Sequence, residues 1–259
     1  MQRFVGTFLI VLVCLAVFAS PVTAGDVLGP GDIAIIGYRF GSSAEFSFVC
    51  LRIITEGTEI KFTDNGWKEN QTFRTGEGSI SWVAPSGGCE LGQIVNVKKS
   101  DDQYASIDLD TTGDQIIAFQ GYYSLPSLIF ALNSRGDSWQ TGTIDANSST
   151  LPIVLAELSP SPSIAIQQSA YAIFSNSKRD FTSTSAALAF VTDSDNWTRS
   201  PTPLEMPIGD FSFTTTAVHL SAFSAETGAE RAPWWIIAGL VVIPVLVMVV
   251  KRPKRECCK

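Results

Sequence analysis

Short segments in which apolar and polar residues alternate recur between residues 32 and 120, with Gly, Asp, Asn and Pro between them. The alternation is clearest at Glu45–Val49 and Glu59–Thr63. Because successive side chains of a strand point to opposite faces, this pattern predicts strands with one buried and one wetter face. The predicted strands are Ile33–Tyr38, Phe46–Leu51, Glu59–Thr63, Ser79–Val83, Ile94–Val97 and Gln115–Phe119.

Turn-forming residues separate these strands at regular intervals, at residues 64–66, 85–88 and 112–114. Asp and Asn stabilise turns through their side chains, and Gly accepts a positive φ. Strands that follow one another without intervening helices favour sheet-on-sheet packing over alternating β and α units. The fold class predicted from this pattern is all-β, an antiparallel β-sandwich.

The second half of the chain is less regular. A Pro/Ser stretch at Leu158–Ser163 indicates a loop between apolar segments. Residues Ser183–Val191 have the spacing of a short helix with a Ser/Thr cap, and the alternation at Phe211 and Phe213 suggests a final strand. Whether residues 120–216 complete the same sandwich stays open at this point. The following residues, 217–231, are rich in Ala, Ser, Thr and Glu and predict a stalk.

Both chain ends are apolar. Arg3, the apolar run Phe4–Phe18 and the small residues at 22–24 predict a signal peptide over residues 1–24, with Gly25 as the mature terminus. Near the other end, Ala232–Val250 is uncharged and about long enough for a helix to cross a bilayer. We therefore expect one C-terminal transmembrane helix.

The tail that follows, residues 251–259, carries five Lys or Arg side chains. Such a cluster belongs on the cytoplasmic side, so the sequence predicts a type I single-pass membrane protein with its N-terminal domain outside, at the cell surface. Trp234 and Trp235 fit the aromatic belt at the outer interface. A lipid-anchor signal is the alternative for this region, but such signals end on the apolar run.

The net charge of the predicted ectodomain limits the classes of partner that it could bind. Between Gly25 and Ala232 the chain has 12 basic and 24 acidic residues, a formal charge near −12. This balance argues against nucleic acid or anionic lipid as a partner of the ectodomain. Calcium and basic ligands remain open.

The cysteines divide by compartment. Cys50 and Cys89 are the two on the oxidising side of the predicted topology, which favours a disulfide between them over two buried thiols. Cys257 and Cys258 lie in the tail beside the predicted membrane span, where S-palmitoylation is an option.

Three N-x-[ST] sequons, at Asn70, Asn147 and Asn196, fall on the predicted outer side. In a eukaryotic host these asparagines would be glycosylated.

Two sequence clusters stand out: Phe62–Trp67 (FTDNGW) and Phe73–Gly78 (FRTGEG). With GDIAIIGY at Gly31–Tyr38 before them and TGDQIIAFQG at Thr112–Gly121 after them, this order resembles an uncharacterised β-rich module of exported bacterial proteins. It is also loosely similar to the lamin-tail domain, an immunoglobulin-like sandwich. The resemblance covers about Gly31 to Trp197 and implies a binding or scaffolding role with no catalytic residue to carry over.

Within these clusters, Arg74 and Glu77 are close enough in sequence to pair across a turn, and Trp67 is expected to fold onto the core. One interpretation is a ligand-contact patch made of Asp64, Asn65, Arg74 and Glu77. The other is an ion pair that only fixes the loop.

Further along, Asp108, Asp110 and Asp114 belong to an acidic stretch. Hard cations bind several carboxylate and carbonyl oxygens from loops, so calcium is a candidate ligand. The stretch lacks the Gly and Glu positions of an EF-hand loop, and solvated turn carboxylates are the alternative. No other cofactor is indicated.

The sequence contains no Walker A loop and no G-x-S-x-G motif, and its one histidine, His219, falls in the predicted stalk. We therefore expect no enzyme, and predict a membrane-anchored interaction or adhesion module whose extracellular protein or glycan ligand is unknown. The alternative is a calcium-dependent carbohydrate binder or a carboxylate-based hydrolase on the outer face.

Overall fold

The computed structural model describes residues 25–102 and 105–214. The strands are β1 Ile33–Arg39, β2 Glu45–Cys50, β3 Glu59–Thr63, β4 Ser79–Val83, β5 Ile94–Lys98, β6 Gln115–Tyr122, β7 Leu125–Asn133, β8 Ser163–Ala165, β9 Tyr171–Phe174, β10 Asp180–Phe181, β11 Trp197–Ser200 and β12 Ser212–Phe213. The helices are α1 Ile153–Ala156 and α2 Thr184–Val191, with 3-10 turns at Lys99–Asp101 and Ser194–Asn196. The prediction of a mainly β-sheet fold is confirmed.

The long strands form two five-stranded sheets. Sheet 1 has the order β11-β9-β1-β2-β5 and sheet 2 the order β4-β3-β6-β7-β8. Their pairs are antiparallel except for β7 with β8. The small β10–β12 pair is also parallel, so the all-antiparallel expectation is wrong at these two pairs. Since β7 and β8 lie in sheet 2 and β9 and β11 in sheet 1, the second half of the chain completes the sheets of the first.

The two sheets share a core of apolar side chains. Phe46 and Phe48 of sheet 1 contact Phe62 of sheet 2 at ring-centroid distances of 4.7 and 5.5 Å, and Trp82 meets Phe48 edge to face. These side chains come from the alternating positions that the sequence pattern marks as apolar. Burying a Phe of this kind stabilises the fold by about 1.5 to 3 kcal/mol.

A second apolar cluster covers the outer face of sheet 2. It includes Trp67 and Phe73 from the β3–β4 loop, Phe119 of β6, Leu128 of β7 and Leu155 of α1. Trp67 therefore folds onto this outer cluster and not onto the core between the sheets. Because the cluster covers β6 and β7 from outside, both strands are buried on two faces.

The helix predicted near residue 183 is confirmed. Its N-cap is Ser183, whose hydroxyl accepts a hydrogen bond from the backbone N–H of Ala186 at 3.1 Å. A cap of this kind satisfies one of the free N–H groups at the start of a helix. Ala187, Leu188 and Val191 are its buried face.

The strand directions define two ends of the paired sheets. At one end, which we call the exit end, β2 and β4 finish, and the Cys50–Cys89 disulfide lies there with a Cα–Cα distance of 6.5 Å. The disulfide prediction is confirmed. The last described residues also reach this end, since Phe211 donates its backbone N–H to Gly92.

At the opposite end, which we call the pocket end, β1, β3 and β5 finish. Three loops meet there: the β1–β2 turn, the β3–β4 loop and the segment before β6. Backbone hydrogen bonds connect these loops. For example, the N–H of Gly41 donates to the carbonyl of Leu109.

Several predicted features lie outside the described residues: the signal peptide, the stalk, His219, the span Ala232–Val250 and the tail with Cys257 and Cys258. Among residues 25–102 and 105–214, no helix has the length and apolar character needed to cross a membrane.

Candidate functional site

A pocket of about 680 Å³ lies at the pocket end. Its walls come from the β1–β2 turn (Gly41 and Ser42), the β3–β4 loop (Asp64 and residues 76–78), the segment 106–111 and the loop at Ala146 and Asn147. Asp64, Glu77, Asp108 and Asp110 all line it. Two residues from each of the sets singled out separately in the sequence thus line one acidic pocket, whereas Asn65, Arg74 and Asp114 do not line it.

Asp64 forms the floor of the pocket and holds two loops together. The residue is 1 % exposed. Its Oδ1 accepts the backbone N–H of Gly78 at 2.7 Å, and its Oδ2 accepts that of Asp108 at 2.6 Å. Asp64 therefore ties the β3–β4 loop to the acidic segment.

Asp114 lies beneath the pocket and, like Asp64, connects backbone segments through its carboxylate. It is also 1 % exposed. Its Oδ2 accepts the N–H of Asp110 at 2.8 Å, and its Oδ1 accepts that of Gln115 at 2.8 Å. The expectation of a solvated turn carboxylate is wrong for Asp114, because it is buried and bonded to the backbone that carries Asp110.

Asn65 lies beneath the pocket and is 3 % exposed. Its Nδ2 donates to Thr63 Oγ1 at 2.9 Å and to the Gly78 carbonyl at 3.3 Å, while its Oδ1 accepts the N–H of Glu77 at 3.2 Å. These bonds place Asn65 among the groups that shape the β3–β4 loop, away from the pocket surface.

Arg74 and Glu77 form the ion pair expected from the sequence, with 3.2 Å between Nη1 and Oε2. Glu77 lines the pocket, and its partner Arg74 is not one of the lining residues. The pair brings a positive charge to the back of an otherwise acidic wall.

Two glycines let the backbone segments approach. A Cβ on Gly66 would lie 2.2 Å from the carbonyl oxygen of Ser148, and one on Gly78 would lie 2.0 Å from that of Ser106. The sequence predicts a positive φ for Gly66 as a turn residue, but Gly66 is not among the positive-φ glycines. Glycine is therefore needed at position 66 because a Cβ would not fit there, and not because the backbone has a positive φ.

The rim of the pocket carries the carboxylates that reach solvent. The Asp108 side chain is 88 % exposed and lies 3.6 Å from Lys99 Nζ. Asp110 accepts the N–H and hydroxyl of Thr112, both at 2.7 Å, and these bonds lower the pKa of the Asp110 carboxyl. The Asp110 carboxylate at the rim is therefore negatively charged at neutral pH.

The pKa values of the buried carboxyls are shifted in the opposite direction, upward. Burial raises the pKa of Asp114 to about 8, against the hydrogen bonds from Asp110 and Gln115. Burial and the nearby charge of Asp64 raise the pKa of Glu77 to about 7, against Arg74. Burial also raises the pKa of Asp64. Desolvation disfavours the ionised form of each group.

These shifts predict that the fold loses stability as the pH rises. The folded chain holds the Asp114 proton up to about pH 8, whereas the unfolded chain releases it near the ordinary value of 3.8. Between these two values the folded state binds more protons, so the free energy of unfolding falls with pH, by at most about 1.4 kcal/mol per pH unit for one group. Thermal melts from pH 5 to pH 8 should show a falling midpoint.

The variant Asp114→Asn should reduce that slope to the part contributed by Glu77 and Asp64, while Asp110→Asn, at an exposed carboxyl with a lowered pKa, should keep the full slope. The slope is the readout, because an amide at position 114 changes the absolute midpoint through its hydrogen bonds. A wild-type midpoint that rises between pH 5 and pH 8 would contradict the prediction.

The predicted calcium site stays a prediction. Among residues 25–102 and 105–214, no group of three or more His, Cys, Asp or Glu side chains has an arrangement that could hold a metal ion. Asp108 and Asp110 point to the rim, while both oxygens of Asp114 accept backbone N–H groups.

Some residues of the site escape sequence reasoning. Gln115 is fully buried and its Nε2 donates to the carbonyls of Asp64 and Ala146, which joins the floor to the loop after β7. Ala146 and Asn147 line the pocket although they lie far along the chain. The sequon at Asn147 was the available signal, but it says nothing about a pocket.

The three sequons have different surroundings. Asn70 is exposed in the β3–β4 loop. Asn147 is half-buried in the pocket wall. Asn196 is also half-buried, and its Nδ2 donates to the Phe190 carbonyl at 2.9 Å.

Comparisons of the chain with family models, with curated proteins and with solved structures gave no match.

Proposed function

We propose that this chain is a membrane-anchored interaction module displayed outside the cytoplasm, with an immunoglobulin-like β-sandwich that offers the acidic pocket to a basic ligand. The observation that carries the proposal is the gathering of acidic side chains in one pocket at the end opposite the last described residues.

The strand order supports the immunoglobulin-like part of the proposal. In immunoglobulin sandwiches, strands A, B and E belong to one sheet, and C′, C, F and G to the other. Here β1, β2 and β5 are neighbours in sheet 1, and β4, β3, β6 and β7 are neighbours in sheet 2. Strands β8, β9 and β11 extend both sheets. The disulfide differs, since it joins the end of β2 to the loop before β5.

The buried carboxylates and the exposed carboxylates have different roles, and this difference supports ligand recognition over hydrolysis. Asp64 and Asp114 use both oxygens to accept backbone N–H groups, so they build the pocket. A general acid or base needs an oxygen within reach of the substrate. Asp108 and Asp110 reach solvent, where a Lys or Arg side chain of a partner would find a charge-assisted hydrogen bond.

Membrane anchoring is tested by truncation. The full-length chain should stay with the membrane pellet after alkaline carbonate extraction, because a spanning helix is held by its apolar surface. A chain ending at Thr216 should be released to the medium with its disulfide intact. Release of the full-length chain by carbonate would contradict the anchor.

Ligand class is tested with a defined probe, a fluorescent hexalysine peptide, on the full-length chain made without N-glycans. The double variant Asp108→Asn/Asp110→Asn should weaken binding about 5- to 10-fold, the effect of losing one or two exposed charge contacts. The control Glu157→Gln/Glu205→Gln removes the same charge from exposed sites outside the pocket and should leave the affinity nearly unchanged. Equal weakening by both variants would mean that only net charge matters.

The calcium-dependent alternative is separated by a melt of the same protein in calcium and in chelator. We expect the same midpoint in both. A rise of several degrees with calcium would mean that the folded state binds the ion, and would move the proposal to the carbohydrate-binding alternative.

A further inference from the structure

The sequon at Asn147 lies in the wall of the acidic pocket. Asn147 is half-buried, and it lines the cavity together with Asp108 and Asp110. Its side chain lies near Asp110, one of the two rim carboxylates, and is among the groups that lower the pKa of that carboxyl. Whatever is attached to the Asn147 amide nitrogen therefore starts at the mouth of the pocket.

The loop that carries Asn147 is tightly held. Asp145 accepts the N–H of Asn147 at 3.0 Å and pairs with Arg135 at 2.9 Å. The Asp145 N–H in turn donates to Ser148 Oγ at 2.8 Å. These bonds fix the side from which residue 147 faces the pocket.

The rest of the loop is fastened to the β3–β4 loop. Ser149 Oγ accepts the N–H of Trp67 at 2.9 Å, and the Thr150 N–H donates to the Trp67 carbonyl at 2.8 Å. Gln115 holds the Ala146 carbonyl from beneath at 2.9 Å. A group on Asn147 cannot leave the pocket by a loop movement without breaking these bonds.

The chemistry of an N-glycan suits this position. The linked asparagine keeps one amide N–H, so its contact with Asp110 can persist. Sugar hydroxyls can donate to the carboxylates of Asp108 and Asp110, because both residues are exposed and a carboxylate has about four acceptor sites. The first sugar would then occupy the place where a basic side chain would bind.

The other two sequons lack this arrangement. Asn70 is exposed, and its Oδ1 accepts the Thr72 hydroxyl at 2.7 Å in a turn that does not line the pocket. Asn196 uses its Nδ2 for the Phe190 carbonyl. Asn70 therefore offers a matched control for a glycan elsewhere on the same loop system.

We propose that an N-glycan on Asn147 covers the acidic pocket and controls the access of basic ligands to it. The ligand part of this inference rests on the function proposed above; the covering part does not. In a cell that glycosylates only a fraction of the chains, the displayed protein would consist of closed and open forms.

The experiment uses the full-length chain made in mammalian secretory cells and the same chain made in a bacterial periplasm, which leaves Asn147 intact but without a glycan. Carboxylates are labelled with a carbodiimide and glycine ethyl ester, and glycan occupancy and labelling are read by mass spectrometry. Hexalysine binding is measured on both preparations. Asn70→Gln and Asn147→Gln, both made in mammalian cells, complete the set.

We expect occupancy at Asn147 and labelling of Asp108 and Asp110 that is several-fold lower in the mammalian protein, with Glu157 labelled equally in both as an internal reference. Asn147→Gln should restore the labelling, and Asn70→Gln should not. An unoccupied Asn147, or equal labelling with the site occupied, would overturn the inference.

The two proposals fail separately. If the glycan protects Asp108 and Asp110 but the unglycosylated chain does not bind hexalysine, the basic-ligand proposal fails and the covering glycan stands. If hexalysine binds the glycosylated and unglycosylated chains equally, control of access is overturned while the ligand class survives.

Discussion

Replacing both Cys50 and Cys89 by alanine is expected to lower the free energy of unfolding by about 4 kcal/mol. The disulfide closes a loop with a sequence separation of 39 residues. On the chain-entropy model a loop of this length restrains the unfolded chain by about that amount. For a domain of this size, about 4 kcal/mol corresponds to a fall of roughly 8 to 16 °C in the melting midpoint.

Alanine is the suitable replacement because both positions are buried. A serine hydroxyl there would add the cost of an unsatisfied polar group to the lost cross-link. Melts of the wild-type and double-variant chains, each with and without reductant, provide the measurement. Reductant should lower the wild-type midpoint and leave that of the variant unchanged. Equal midpoints for the two oxidised proteins would contradict the prediction.

The second large effect is expected from Gly78→Ala. The new Cβ would lie 2.0 Å from the Ser106 carbonyl oxygen and 2.5 Å from the Ile107 nitrogen, and both are backbone atoms that cannot swing away. The two segments must separate, which strains the bond from the Gly78 N–H to Asp64. We expect a loss of about 3 kcal/mol or more in stability, at the upper end for overpacking.

Gly136→Ala is the matched control. Its Cβ would meet no atom closer than 3.9 Å, and Gly136 has no positive φ. Urea unfolding followed by tryptophan fluorescence should show a shifted midpoint for the position 78 variant and almost none for the position 136 variant. If Gly78→Ala unfolds at the wild-type urea concentration, the close contact of the two loops is not as the structure has it.

Local patterns explain why the first half of the fold could be predicted. Strands β3 and β4 begin and end at the residues expected from the alternation, because each has one buried and one wetter face. Strand β7 was missed for the opposite reason. Its inner residues, such as Phe130, enter the core between the sheets, while Leu128 enters the outer cluster, so its sequence is a continuous apolar run. Without alternation, such a run does not distinguish strand from helix.

In the candidate site, contacts between residues close in sequence could be predicted, and contacts between distant residues could not. The Arg74–Glu77 pair spans three residues and was predictable from the sequence. The bond from Asp108 to Asp64 spans 44 residues, and nothing in either segment specifies the other. The burial of Asp114 likewise depends on Ser134, whose hydroxyl accepts its N–H at 3.0 Å. Tertiary packing, which the sequence pattern does not report, turned two acidic segments into one pocket.

The pairing of β1 has a consequence for synthesis. On one side β1 pairs with β2 at once, but its other neighbour is β9, where Gly37 faces Ile173. While the chain is being synthesised, that edge of β1 stays unpaired until most of the domain has been made. An open, apolar edge is a template for wrong pairing, and distant pairings form slowly. A chaperone that covers unpaired strand edges would therefore bind the first third of this protein during synthesis.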